Sequence, residues 1–177
     1  MTLARLHEVI QIAMGWFDNH LHAFILGDRR KGTRFGVPGP DDWTEVLDEA
    51  DYRLASLGLR TRGKLLYEYD FGDGWEHDIV LEKVLPHEEG ALPRCIEGGR
   101  ACPPEDCGGF PGYMRFCEVS QDGKHPDYQE LILGWYGSPF DPEEFDAAAV
   151  SRELARAFKP RRRRVGTRRT PKRRWML

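Results

Sequence analysis

The sequence predicts an α+β fold: a small mixed or antiparallel sheet with a central hairpin at about 64–85, packed by helices and followed by a disordered basic tail. Three observations predict it. Apolar residues recur at helical spacing over 2–17. They flank a Phe71-Gly72-Asp73-Gly74 turn over 64–85. The charge also reverses after Phe158: from Lys159 onward lie ten of the 26 basic residues and none of the 29 acidic ones, which leaves 1–158 at a net −13. The expected division is one α+β domain over 1–158 and a basic tail over 159–177.

The elements follow from local chemistry. Thr2 can cap a helix over 2–17, with Leu3, Leu6, Ile10, Ala13, Met14 and Phe17 on one face. Leu21 to Leu26 is a short apolar run between Asn19 and Gly27, a strand. Residues 27–42 hold three glycines before Pro38-Gly39-Pro40 and are expected as loop. Trp43 to Ala55 can carry one or two helical turns. Leu65 to Tyr69 and Trp75 to Leu81 form the hairpin, with Asp73-Gly74 as its turn signal. Pro86 to Gly112 is rich in proline and glycine and holds three of the four cysteines. Tyr113–Val119 and Tyr128–Tyr136 are expected as helices. A last helix should open with Asp141 as N-cap and Pro142 at its first turn, and end near Phe158.

Composition narrows the class. With 177 residues, 40% of them hydrophobic and 11% aromatic, the chain can bury its own core. No run approaches the ~18 apolar residues of a membrane helix. His7 and Glu8 precede any apolar run, which is unlike a signal peptide. A cytoplasmic, reducing setting is expected, with thiols free or metal-bound rather than paired.

Several ordered blocks carry a resemblance. They are Leu6-His7-Glu8-Val9-Ile10-Gln11 leading to Met14-Gly15-Trp16; His20-Leu21-His22-Ala23-Phe24; Tyr69-Asp70-Phe71-Gly72-Asp73 with Trp75 and His77; and Cys102-Pro103-Pro104-Glu105-Asp106 with Gly108-Gly109 and Gly112-Tyr113. From about residue 2 to 158 the chain resembles the plasmid pRiA4b Orf3-like family, also labelled insertion-element passenger proteins with a resolvase tag. The resemblance implies a compact α+β fold and an association with mobile elements, and it implies no established activity. Family members usually begin with a further strand-rich segment. The chain is therefore expected to present an unpaired edge near its N-terminus, where a protein partner or a second copy could add. The basic tail lies outside the family pattern. The resolvase tag finds no chemistry here, since Ser56, Ser120, Ser138 and Ser151 lie in no arginine-rich setting.

Four constellations could carry chemistry. Strand alternation puts Trp75, His77, Ile79 and Leu81 on one hairpin face. An even-length loop then sets Asp70 or Glu68 beside His77, as a structural pair or as candidate catalytic groups. Cys95, Cys102 and Cys107 could converge on zinc with His77 as fourth ligand, although their spacing is not that of a zinc knuckle. The bland alternative is a rigid loop with half-buried thiols, and Cys117 reads as core. His20 and His22, one residue apart, could join His77 in an alternative metal site; otherwise His20 belongs to a turn and His22 packs on the sheet. Glu105 and Asp106 could be acid/base groups or turn caps. In the tail, Arg161, Arg162, Arg163, Arg164, Arg168, Arg169, Lys172, Arg173 and Arg174 suit non-specific phosphate contacts with DNA or RNA, and Trp175 could stack on a base.

Two functions of different class result. One is a non-catalytic accessory protein of a mobile element, with the tail engaging nucleic acid. The alternative is a metal-dependent, zinc hydrolase-like enzyme using the His77/Asp70 region.

Overall fold

The first helix begins where Thr2 can cap it. The Thr2 hydroxyl accepts the Arg5 N–H at 3.3 Å, and α1 spans Leu3–Met14. Gly15, at φ 74°, closes it in the left-handed geometry of a glycine C-cap. That stop comes before Phe17, which is 77% exposed instead of joining the apolar face.

In the computed structural model, which describes residues 1–40, 45–86, 88 and 92–159, five strands form one mixed sheet. They are β1 (His22–Leu26), β2 (Thr33–Gly36), β3 (Val46–Asp48), β4 (Lys64–Tyr69) and β5 (Trp75–Val80), in the order β3-β2-β1-β4-β5. Only β2 and β3 run parallel. The α+β class and the β4–β5 hairpin are as the sequence predicts, but the hairpin closes one edge of the sheet and β1 is its central strand.

Two expected segments differ. The supposed loop over 27–42 contains β2. The Asp28 carboxylate accepts the N–H groups of Arg30 and Lys31 at 2.9 and 3.0 Å, which turns the chain back so that Phe35 pairs with Phe24. The supposed helical turns after Trp43 give way to β3, where Leu47 pairs with Phe35. A short 3-10 turn, Leu54–Leu57, follows. Strand pairing overrides weak local propensity in both places.

The hairpin is correct but its loop is odd. Tyr69 pairs with Trp75 and Tyr67 with His77, so the loop runs from Asp70 to Gly74. Asp70 and Gly74 both take left-handed φ, 53° and 71°, and Gly74 N–H reaches the Asp70 carbonyl at 2.6 Å. The expectation of an acid beside His77 therefore fails. His77 lies opposite Tyr67, while Glu68 faces the other side of the sheet and accepts from Arg34 at 3.1 Å.

The main core lies between α1 and one sheet face. Leu3, Phe24, Phe35, Leu65, Tyr67 and Tyr69 are buried there, with Trp16 over the sheet's end. Each such side chain contributes roughly 1.5–3 kcal/mol on burial. A smaller cluster of Phe116, Val119 and Ile132 joins α2 (Gly109–Ser120) to a wide π-helix, Tyr128–Tyr136. The last helix, α3, spans Ala147–Phe158 with Asp146 as its N-cap. Asp141 and Pro142 form only a turn: the Asp141 carboxylate accepts the Glu143 N–H at 2.9 Å, too early for the helix. The tail residues from Arg161 on lie outside the described residues.

Candidate metal centre

Antiparallel pairing of β1 with β4 brings two distant segments together. His22 lies opposite Tyr69, so the residue before β1 meets the residue after β4, and Asp70 N–H donates to the Leu21 carbonyl at 2.9 Å. His20 is thereby set beside Asp70, with its Nδ1 3.7 Å from the carboxylate. A third segment arrives from the cysteine-bearing loop. Trp16 donates its indole N–H to the Pro103 carbonyl at 2.9 Å. Glu105 accepts from Phe17 N–H at 3.1 Å, from the Asn19 amide at 3.3 Å and from the Tyr69 hydroxyl. This clamp fixes Asp106, whose carboxylate lies 3.2 Å from His20 Nε2.

One nitrogen or oxygen from each of His20, Asp70 and Asp106 lies within 4.8 Å of the others. The approach of Asp106 to His20 is not a hydrogen bond, and His20 Nε2 is a buried polar atom without a hydrogen-bond partner among the described residues. Such an atom needs compensation. Asp70 is held from behind, its Oδ1 accepting Gly72 N–H at 3.0 Å and Asp73 N–H at 3.2 Å. Asp106 and Asp70 are both left-handed, at φ 58° and 53°, a backbone region that aspartate tolerates better than most residues. Asp106 also lines two clefts, of about 470 and 570 Å³. An ion held here would face open space.

A second histidine group lies deeper. His7 and His22 stack with ring centroids 3.5 Å apart. His7 contacts the Tyr67 hydroxyl through Nδ1 and Asp18 through Nε2, each at 2.8 Å, and His22 Nε2 lies 2.8 Å from the buried Glu49. His7, Asp18 and His22 also satisfy a metal-site geometry. Here, however, both His7 nitrogens already have partners. Burial first, and the neighbouring His22 second, lower the His7 pKa. This group is a hydrogen-bonded polar pin between α1 and the sheet.

The other expected ligands are not gathered. His20 and His22 fall in separate groups, one in the turn and one on the sheet. Among the described residues, no set of three ligand atoms within 4.8 Å includes Cys95, Cys102, Cys107 or His77. Cys95 sits against α3, its N–H donating to Ser151 Oγ at 3.0 Å. Burial pushes the Cys102 thiol up to about 12 and the Cys107 thiol up to about 11, so both stay protonated at neutral pH. His77 meets the Trp16 ring edge-on at 5.5 Å, and burial lowers its pKa. The sequence pointed to Asp70, His20 and Asp106 separately but not to their union. The only signal that could have joined them is that all three fall in the recognised blocks.

The comparisons agree with the fold. The family model described as plasmid pRiA4b ORF-3-like protein matches residues 1–149. The uncharacterized protein y4hQ of Sinorhizobium fredii is 40% identical over 152 residues, covering 85% of this chain and 74% of its own length. The crystal structure of MM3350, a protein of unknown function from Methanosarcina mazei Go1, superposes with a TM-score of 0.70 at 39% identity, over 82% of this chain and 81% of the other. No described helix is long and apolar enough to cross a membrane. A matched fold, 40% identity over most of the chain and a family model covering 1–149 together establish that the chain belongs to the plasmid pRiA4b ORF-3-like family.

Proposed function

We propose that this protein binds one divalent transition-metal ion, of the zinc or manganese kind, through His20, Asp70 and Asp106. The observation that carries the reading is His20 set between two carboxylates, its buried Nε2 3.2 Å from Asp106 without forming a hydrogen bond and its Nδ1 3.7 Å from Asp70. One imidazole and two carboxylates suit such ions, and three protein ligands leave a position for water. The chemistry such an ion supplies is water activation near neutral pH, which makes hydrolysis the reaction class that fits. Asp70 and Asp106 neutralise the ion, His20 fixes its place, and Glu105 holds Asp106 against the histidine. His77 and the cysteines have no part in it.

The test is metal analysis and calorimetric titration of the full chain with zinc and with manganese. One ion per chain is expected, and its loss in His20→Ala and in Asp106→Asn. The same empty stoichiometry in wild type and variants would mean that the three side chains hold no ion.

The charge division favours a second reading for the tail, which suits a mobile-element accessory protein. Arg161–Arg164 and the later basic residues would contact DNA or RNA phosphates without sequence preference. Each phosphate contact contributes about 0.9 to the slope of log affinity against log salt for duplex DNA. Replacing Arg161–Arg164 by Gln should flatten that slope by up to about 4. An unchanged slope removes the tail from the interface.

A further inference from the structure

An acidic groove runs beside α3, away from the His20 centre. It is bounded by the end of α1, by residues 95–103 and by the first half of α3, and its volume is about 710 Å³. Its apolar floor includes Met14, Phe140, Phe145 and Val150. Gly98 lets the 95–103 segment lie on that floor, since a Cβ there would come within 2.3 Å of the Phe145 ring. Five carboxylates line the groove: Glu97, Asp141, Glu144, Asp146 and Glu153. Asp146 and Glu153 already hold Arg152 and Arg156 of α3. Glu97, Asp141 and Glu144 are exposed and make no ion pair among the described residues. Arg100, the lone cation among the described lining residues, is turned to Glu143 at 3.1 Å.

We propose that the occupant of this groove is the chain's own basic segment, residues 160–177, which lies there when no polyanion competes for it. Three features support this choice. The first is reach. Lys159 leaves α3 in an extended conformation. Folding back along twelve helical residues means covering roughly 18 Å, which about six extended residues span. Eighteen are available. The second is charge: nine cations and no acid follow Lys159, opposite three carboxylates that make no ion pair among the described residues. The third is that Trp175 supplies an aromatic side chain for an apolar floor. Tethering makes the encounter intramolecular, so weak pairs act at high effective concentration. Exposed pairs contribute only about 0–1 kcal/mol each, so docking of about tenfold, not complete burial, is expected. The contact shields the tail until a denser polyanion displaces it, whether or not nucleic acid is its physiological partner.

Zero-length carbodiimide cross-linking of the full chain at low salt tests this. Lys172 is expected to link to Glu97, Asp141 or Glu144 within one molecule. The link should vanish near 1 M salt, where the Debye length is about 3 Å. It should also vanish in a Glu97→Gln/Glu144→Gln double variant of unchanged melting temperature. Trypsin should cut at Arg161–Arg164 roughly tenfold more slowly in wild type than in that variant at low salt. Equal cleavage rates overturn the proposal. So do links from Lys172 to other faces of the domain, or links formed only between molecules, which would assign the groove to a second copy.

Discussion

His7 shows how one buried side chain can set a pH dependence. Its ring lies between the Tyr67 hydroxyl and Asp18, and stacks on His22 beside Glu49. Its pKa is lowered from the ordinary 6.5, so the folded state prefers the neutral ring. The stabilisation is therefore fully present above 6.5 and is lost as pH falls through the lowered value. His77, also lowered by burial, acts in the same direction. Urea unfolding from pH 8 to 5 should show wild type losing stability below about 6.5 more steeply than His7→Gln. Parallel curves would assign the acid sensitivity elsewhere. Glu105 makes a second single-residue case. It gathers the Phe17 N–H, the Asn19 amide and the Tyr69 hydroxyl. Glu105→Gln should cost about 0.5–1.5 kcal/mol in unfolding, by weakening hydrogen bonds from mostly exposed donors. It should also weaken zinc binding about 10- to 100-fold in titration calorimetry, as expected for a group that orients a ligand. Glu105→Asp, which keeps the charge on a shorter arm, should fall between wild type and the amide variant. Equal zinc affinity in all three proteins would remove Glu105 from the support of Asp106.

Among the elements, the hairpin tip and α2 are built for each other. Asp73 accepts the Gly108 N–H at 3.1 Å, so a loop carboxylate holds the residue from which α2 starts. Gly109, at φ 65°, lies so close that a Cβ would come within 2.5 Å of the Asp73 carbonyl. Gly112 is tighter, since its Cβ would meet the Cys107 carbonyl at 1.8 Å. Gly112→Ala should therefore lower stability by about 1–3 kcal/mol, the range of overpacking. Gly123→Ala, with nothing within 4 Å of the added carbon, should stay within about 0.5 kcal/mol. Thermal melts of the pair provide the comparison. Gly108, Gly109 and Gly112 were visible in the sequence as a cluster, but their reason was not. It lies in Asp73, about 35 residues upstream, and in a carbonyl whose direction only the folded loop sets.

Across the chain as a whole, stability is divided unequally. The cluster between α1 and the sheet holds seven fully or nearly fully buried side chains, while that of α2 and the π-helix holds three. β1 and β4 lie inside the sheet, with paired neighbours on both sides. Amide hydrogen exchange should be slowest in β1 and β4, at the global unfolding limit, and faster in the π-helix, which opens in a smaller step. Uniform protection across both clusters would show a single cooperative unit instead. Opening of the π-helix layer would alter both clefts that meet at Asp106, since Trp135 lines each.

Features that depend on neighbours a few residues apart were legible in the amino-acid order. Thr2 as a cap, the apolar face of α1, the β4–β5 hairpin and the charge break after Phe158 all follow from short-range periodicity and side-chain chemistry. Features that depend on parity and on distant partners emerged only in the folded chain. A loop of five residues rather than four reversed the face assignment, so His77 faces Tyr67 and not an acid. β3 forms by parallel pairing with β2, where Leu47 meets Phe35. The His20 group needs β1 and β4 in one particular register and Glu105 clamped to Tyr69, contacts that span 36 to 86 positions. Ring nitrogens and carboxylates interact over a few ångströms, and no local pattern carries the distance between segments that far apart in the chain.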